Sequence, residues 1–193
     1  MDWLDWEPVL KKEAASAMEK APSVSEAHKL DHLERVWSRC LKLGMKLNAD
    51  LNVLIAAAFL HDLGRHYNLD VHGEKSAMLA RPILEKIKFP KEKIGKILDC
   101  IRFHDHSTPK SKRELIEAQI LYDSDKLDAF GAAGVARWIT YYYAKGEGID
   151  WILGRLEKRY LGLHLKESKE LAEESYRYAV SFFKKLREDL KAE

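Results

Sequence analysis

Apolar residues recur along most of this chain at intervals of three and four, the spacing that gives a helix one buried face. Few stretches alternate with period two, so the pattern predicts helices and no sheet. A first helix is expected over residues 5–20, broken by Ala21-Pro22-Ser23. A second is expected over 27–43, with Leu33, Val36, Trp37, Cys40 and Leu41 on one face and Gly44 as its stop. A third starts at Asp50, a residue suited to capping, and runs through Val53-Leu54-Ile55-Ala56-Ala57-Ala58-Phe59-Leu60 to close on His61-Asp62-Leu63-Gly64. A fourth covers 75–87, with Met78, Leu79, Ile83, Leu84 and Ile87 inward and Pro82 as a kink. Helices over 91–103 and 115–130 follow, separated by the loop 107–111, and helix is expected to resume from Gly131 to Tyr143. After a turn at Lys145-Gly146-Glu147-Gly148, a last helix over 168–190 carries Ala172, Tyr176, Ala179, Val180, Phe183, Leu186 and Leu190 as a core stripe. The expected class is all-α, in one domain spanning the 193 residues.

Charge and composition narrow the classes of function. Lysine and arginine number 33 against 31 acidic residues, a net charge of +2. That balance argues against a nucleic-acid binder, which shows a concentrated basic excess. No apolar run reaches the ~18 residues of a membrane span. The acidic, aromatic start Met1-Asp2-Trp3-Leu4-Asp5-Trp6 is unlike a signal peptide, so a cytoplasmic location is expected. Cys40 and Cys100 stand far apart within apolar-periodic segments and read as buried thiols.

The chemistry lies at the end of the most apolar run. His61 and Asp62 are adjacent polar groups there, costly to bury unless something satisfies them, and a divalent metal does so. Partners of the right type lie on either side in sequence: His32, and Asp123 or Asp125. Imidazoles and carboxylates together suit manganese, iron, cobalt, nickel, zinc or magnesium rather than a thiolate-bound metal. His28 and His32 fall one helical turn apart, with Arg35 a further turn on.

The ordered set His32, His61-Asp62 and Asp125 resembles the H…HD…D signature of HD-domain metal-dependent phosphohydrolases. The likeness extends to a small bacterial and archaeal branch resembling nucleotide pyrophosphohydrolases. His28 to Val36 resembles its HDxxHxxRV opening, His72-Gly73-Glu74-Lys75-Ser76-Ala77 its HGxxSA segment, Ile101-Arg102-Phe103-His104 its IRxH segment, and Asp123 to Ala132 its DADxLDAxGA segment. The motifs run from about 28 to 137, within a motif-bearing part of about 25–140. A helical extension at about 150–193 lies beyond them. Two departures stand out. Lys29 replaces the branch's aspartate, and Asp105 stands where the branch has arginine, removing a positive charge suited to phosphate.

The resemblance implies an HD-domain helical bundle and hydrolysis of a nucleotide or related phosphate ester or anhydride by a metal-activated water. It implies His32, His61, Asp62 and Asp125 as metal ligands, Asp125 being preferred over Asp123 by its place before Lys126-Leu127-Asp128. His28, Arg35, Arg65, Lys75 and Lys126 are the candidates to hold substrate phosphate. Asp62, His72, Glu74 and His104 are the candidates for catalysis, with Glu74 as a general acid or base. His72 and His104 fit three roles: phosphate binding, proton transfer, or ligation of a second metal. The rival functions are an HD-type di-iron oxygenase and a non-catalytic nucleotide-binding protein. The expected partner is a small phosphorylated molecule; a homo-oligomer is compatible with the sequence.

Overall fold

The computed structural model describes residues 2–22, 30–67, 71–105 and 108–191. Among them are nine α-helices and no strand: α1 (Trp3–Glu19), α2 (Leu30–Lys46), α3 (Leu51–Leu60), α4 (Gly73–Lys86), α5 (Lys91–Phe103), α6 (Ile116–Leu127), α7 (Gly131–Arg137), α8 (Ile149–Leu161) and α9 (Lys166–Asp189). The class is all-α, as the periodicity predicts. No helix among the described residues is long and apolar enough to cross a membrane. The chain divides into two compact units, Met1–Ser124 and Asp125–Glu193.

The first unit is organised around α3. Every residue from Val53 to Leu60 is buried, and a helix apolar on all sides belongs at the centre of a core. It packs against α1, α2, α4 and α5. Full burial of each large aliphatic or aromatic side chain contributes about 1.5–3 kcal/mol, so these eight residues are a main source of the unit's stability. Asp50 starts the helix as expected, its Oδ1 accepting from the Asn52 and Val53 N–H groups. The Asp50 N–H in turn donates to the buried Glu117 carboxylate at 2.9 Å. Lys96 Nζ reaches that same Glu117 oxygen at 2.9 Å. A polar clamp from α5 and α6 therefore grips the first turn of α3. Cys40 and Cys100 are buried free thiols.

Three expectations are corrected. Gly44 does not end α2, which runs on to Lys46. Gly44 faces α3 instead: a Cβ there would stand 2.6 Å from Leu54 Cδ1 and 2.8 Å from Leu51 Cδ2. The glycine permits close helix approach, and the reversal falls at Asn48, whose φ is 53°. In α4 the buried face is Gly73, Ser76, Ala77, Ala80 and Leu84, while Met78 is exposed. Small side chains serve that face because it approaches neighbouring backbone. Pro82 is tolerated within α4, on its exposed side. Residues 149–161, given no helix of their own above, form α8; buried Ile149, Ile152 and Leu156 follow a helical period that frequent charges obscure. The first residues expected in the second helix, 27–29, lie outside the described residues.

In the second unit α9 packs against α7 and α8. Its buried stripe is Ser168, Ala172, Ala179 and Phe183, and Leu190 is exposed. Gly131, with φ 71°, opens α7. Residues Trp138–Tyr142 form a π-helical turn.

Of the described glycines in the first unit, Gly73 has the least room. A Cβ on it would come within 2.3 Å of the Arg102 carbonyl oxygen, which is main chain and cannot swing aside. Gly73→Ala is therefore expected to lower stability by about 1–3 kcal/mol. Gly95→Ala, where an added Cβ meets nothing within 4 Å, should raise it by roughly 0.5–1 kcal/mol. Urea unfolding of the two variants checks both signs.

Candidate metal centre

His61 and Asp62 follow the last residue of α3, where the final four carbonyls of a helix need donors from outside it. His61 supplies one: its Nδ1 lies 2.8 Å from the Ala58 carbonyl oxygen. A carbonyl only accepts, so Nδ1 carries the proton and Nε2 is the basic nitrogen of the neutral ring. His104, just past the end of α5, repeats the device with Nδ1 at 2.5 Å from the Ile101 carbonyl. His32 reaches in from the third position of α2, with its side chain fully buried.

These groups meet at Asp62. His32 Nε2 lies 3.5 Å from Asp62 Oδ2 and His61 Nε2 3.6 Å from the same oxygen. One ligand atom from each of the three falls within 4.8 Å of the others. Two ligands about 2.1 Å from one ion at a tetrahedral angle stand roughly 3.4 Å apart, so the spacing fits a common ion. Two imidazole nitrogens and a carboxylate oxygen suit a divalent cation of borderline softness. His32, His61 and Asp62 can thus hold a metal.

The other carboxylate oxygen faces a second group. His72 Nε2 is 2.7 Å from Asp62 Oδ1 and 3.0 Å from His104 Nε2, while His104 Nε2 is 3.6 Å from Asp62 Oδ1. Asp62, His72 and His104 form a second buried triad of possible ligands. Since His104 Nε2 bears the lone pair, the proton between the two rings sits on His72. Behind His72 stands Asp105, whose Oδ2 accepts from the His72 main-chain N–H at 2.7 Å and lies 3.2 Å from Nδ1. Burial opposes a charge on His72, but the carboxylates of Asp105 and Asp62 outweigh it and raise the pKa from 6.5 to about 9, with Arg65 acting against them. A cation at Asp62 would oppose that protonation.

The remaining candidates are placed as follows. Arg65 lies in the short 3-10 turn Leu63–Tyr67 directly after Asp62, its charge within reach of His72. Arg35 donates to Asp31 at 2.7 Å. Lys75 sits over the Tyr67 ring, 4.7 Å from its centroid. Glu74 is held outward by Arg102, whose Nε is 2.6 Å from its carboxylate, so the structure does not bring it to the histidines. His28 lies outside the described residues. Asp123 is fully buried at the end of the first unit. Asp125 and Lys126 belong to the second unit, where Lys126 Nζ is 2.5 Å from Asp125 Oδ2. Sequence reasoning registered Asp105 only as a missing arginine. The available signal was a carboxylate next to His104 at the end of an apolar helix, a position that needs a buried partner.

A model of the HD domain matches residues 30–129, more than half of the chain. The chain belongs to the HD-domain family. The uncharacterised protein YpgQ of Bacillus subtilis is 29% identical to it over 184 residues, with 86% of each chain covered. A crystal structure of that YpgQ in complex with ADP shares 23% identity at a TM-score of 0.70, covering 98% of this chain and 97% of the other. An HD-superfamily hydrolase of Bacillus thuringiensis shares 22% identity at a TM-score of 0.74, covering 99% and 100%. At these identities the structural likeness establishes the fold alone, in agreement with the HD-domain match.

Asp105→Ala removes the acceptor of a buried main-chain N–H and the carboxylate behind the His72 ring. Stranding such donors costs about 1–3 kcal/mol, so the variant should melt earlier than the parent. Asp105→Asn, which keeps an acceptor oxygen, should recover part of the loss. Equal melting temperatures for parent and Asp105→Ala would refute the role.

Proposed function

We propose that this HD-domain chain is a metal-dependent phosphohydrolase acting on a nucleotide or a related phosphate ester or anhydride. The observation that carries the reading is the buried convergence of His32, His61 and Asp62 within the HD fold. Asp125 is assigned as a fourth ligand by its place in the family pattern. A bound divalent ion would supply an activated water and polarise a phosphoryl oxygen. The chain's own residues have definable tasks. His61 Nδ1–H, tied to Ala58, points Nε2 inward. His72 holds a proton at Nε2, between Asp62 and His104, where it can be passed to a leaving group. Arg65 brings positive charge to the same turn. A nucleotide as substrate gains support from the related YpgQ, solved in complex with ADP.

A second arrangement is favoured by the Asp62, His72 and His104 triad: His32, His61 and Asp62 would hold one ion, and Asp62, His72 and His104 a second. That count is also what a di-iron oxygenase needs, so metal stoichiometry and turnover together separate the readings. One ion with phosphate release supports the mononuclear hydrolase. Two irons with oxygen consumption support the oxygenase. Nucleotide binding without turnover supports a sensor.

The direct test is a screen of nucleoside mono-, di- and triphosphates and cyclic nucleotides with manganese, nickel, cobalt, iron, magnesium and zinc. Release of pyrophosphate rather than orthophosphate identifies the bond cleaved. Asp62→Ala is expected to abolish both metal retention, measured by elemental analysis, and turnover; full activity in that variant would sink the assignment. Asp125→Ala should lower metal content while Asp123→Ala spares it, and the reverse order would reassign the fourth ligand.

A further inference from the structure

The second unit gathers arginines on aromatic rings, and most of that group lies beyond residues 30–129, the span of the HD-domain match. Arg155 and Arg159 stand one turn apart on α8. The Arg155 guanidinium carbon sits 5.5 Å from the centroid of the Trp151 ring, and that of Arg159 4.6 Å from the Trp138 ring. The rings form one packed group: Trp138 and Tyr142 have centroids 4.7 Å apart, Tyr142 and Trp151 5.4 Å, and Trp138 and Trp151 6.2 Å. Trp138 is anchored through its indole N–H, which donates to the Ala129 carbonyl at 2.9 Å. A third arginine, Arg137, is taken up by the Asp128 carboxylate. Trp138 and Tyr142 belong to the π-helical turn, a rare geometry frequent at functional sites.

Stacking on rings leaves the in-plane donors of a guanidinium unused. Arg155 Nε is buried with no hydrogen-bond partner. Among the described residues Arg159 has no carboxylate within ion-pair distance. Burial weighs most against the charge of Arg159 and lowers its pKa; Tyr142 and Asp125 act the other way, and Arg155 and Arg137 add repulsion. Two arginines are thus held side by side by aromatic faces, in mutual repulsion, with donors to spare. An anion with several oxygens relieves the repulsion and takes up the donors. The planar forks of arginine match phosphate oxygens two at a time, and a ring beneath each fork fixes its direction in advance. Asp125, the expected fourth metal ligand, is the carboxylate within electrostatic range of Arg159.

We propose that Arg155 and Arg159, mounted on Trp138, Tyr142 and Trp151, form a subsite of the second unit that binds the phosphate chain of a nucleotide or another polyphosphate. This assignment rests on the phosphohydrolase reading and names the part of the substrate that the C-terminal extension recognises. The alternative role for these arginines is cation–π packing alone, which stabilises the unit and binds nothing.

The test titrates inorganic pyrophosphate into the full-length, metal-stripped protein by calorimetry. The parent should bind it. Arg155→Gln and Arg159→Gln should each weaken binding by about tenfold or more, with helical circular dichroism retained. Arg155→Lys and Arg159→Lys should fall between, since an ammonium keeps the charge and loses the fork. Should Arg159→Gln fail to fold, Arg155→Gln and Arg159→Lys decide. A parent that does not bind pyrophosphate, or glutamine variants that bind it as the parent does, overturns the subsite. Manganese content of Arg155→Gln should equal the parent's, which separates this subsite from the metal centre. Arginine-dependent pyrophosphate binding without nucleotide turnover would leave the subsite standing and remove the hydrolase reading. Turnover with an unchanged KM in Arg155→Gln would do the opposite.

Discussion

Asp62 is a carboxylate placed where a carboxylate is least welcome. It is nearly inaccessible to water, and it follows the C-terminus of a helix buried from Val53 to Leu60, the negative end of the helix dipole. Removing such a charge from water costs several kcal/mol unless positive partners compensate. The first unit answers by drawing imidazoles from three other segments around the two carboxylate oxygens: His32 from α2, His72 from the start of α4 and His104 from the end of α5. With His61 alongside, these donors describe a place for a cation, and the dipole that disfavours the carboxylate favours the cation.

The supporting structure is arranged so that backbone approaches backbone behind this group. Gly64 lies against the His72 carbonyl and the Ser76 main chain, and its N–H donates to Ser76 Oγ at 2.9 Å. Gly73 sits on the carbonyl oxygen of Arg102, two residues before His104. Larger side chains at either position would separate the turn that carries Asp62 from the helix that presents His72, or that helix from the one bearing His104. The small residues lining α4 serve the geometry of the histidine–aspartate cluster as much as packing.

Much of this was legible in the chain itself. The helical period fixes α1, α3, α5 and α9 to within a few residues because each has an apolar core face or a cap such as Asp50. Histidine and aspartate at the end of an apolar run point to a buried polar site on chemical grounds alone, and the ordered motifs add His32, His72 and His104, which lie beside Asp62. What escaped has physical causes. Glu74 reads as a general acid or base because a sequence shows neither the direction of its side chain nor the Arg102 that holds it. Asp105 reads as a defect because its value lies in a hydrogen bond to His72, 33 residues away. The inward face of α4 was misassigned because a hydrophobicity pattern favours Met78 and Leu79 over Ser76 and Ala80, whereas a close backbone approach demands the small residues. Arg155 and Arg159 do not stand out among 33 cationic residues, because the rings beneath them come from elsewhere in the fold as well as from their own helix.

The clamp on the first turn of α3 has a consequence at the other end of that helix. From Asp50 to His61 the rod is about 16 Å long at 1.5 Å per residue, and it is buried from Val53 onward, so a shift at its first turn is carried to its last. Lys96 and Glu117, which meet each other and the Asp50 N–H at the far end of the helix, set the axial position of that rod. They are therefore remote adjusters of the spacing between His61 and His32, and the geometry of the cluster is open to tuning by substitutions that never enter it.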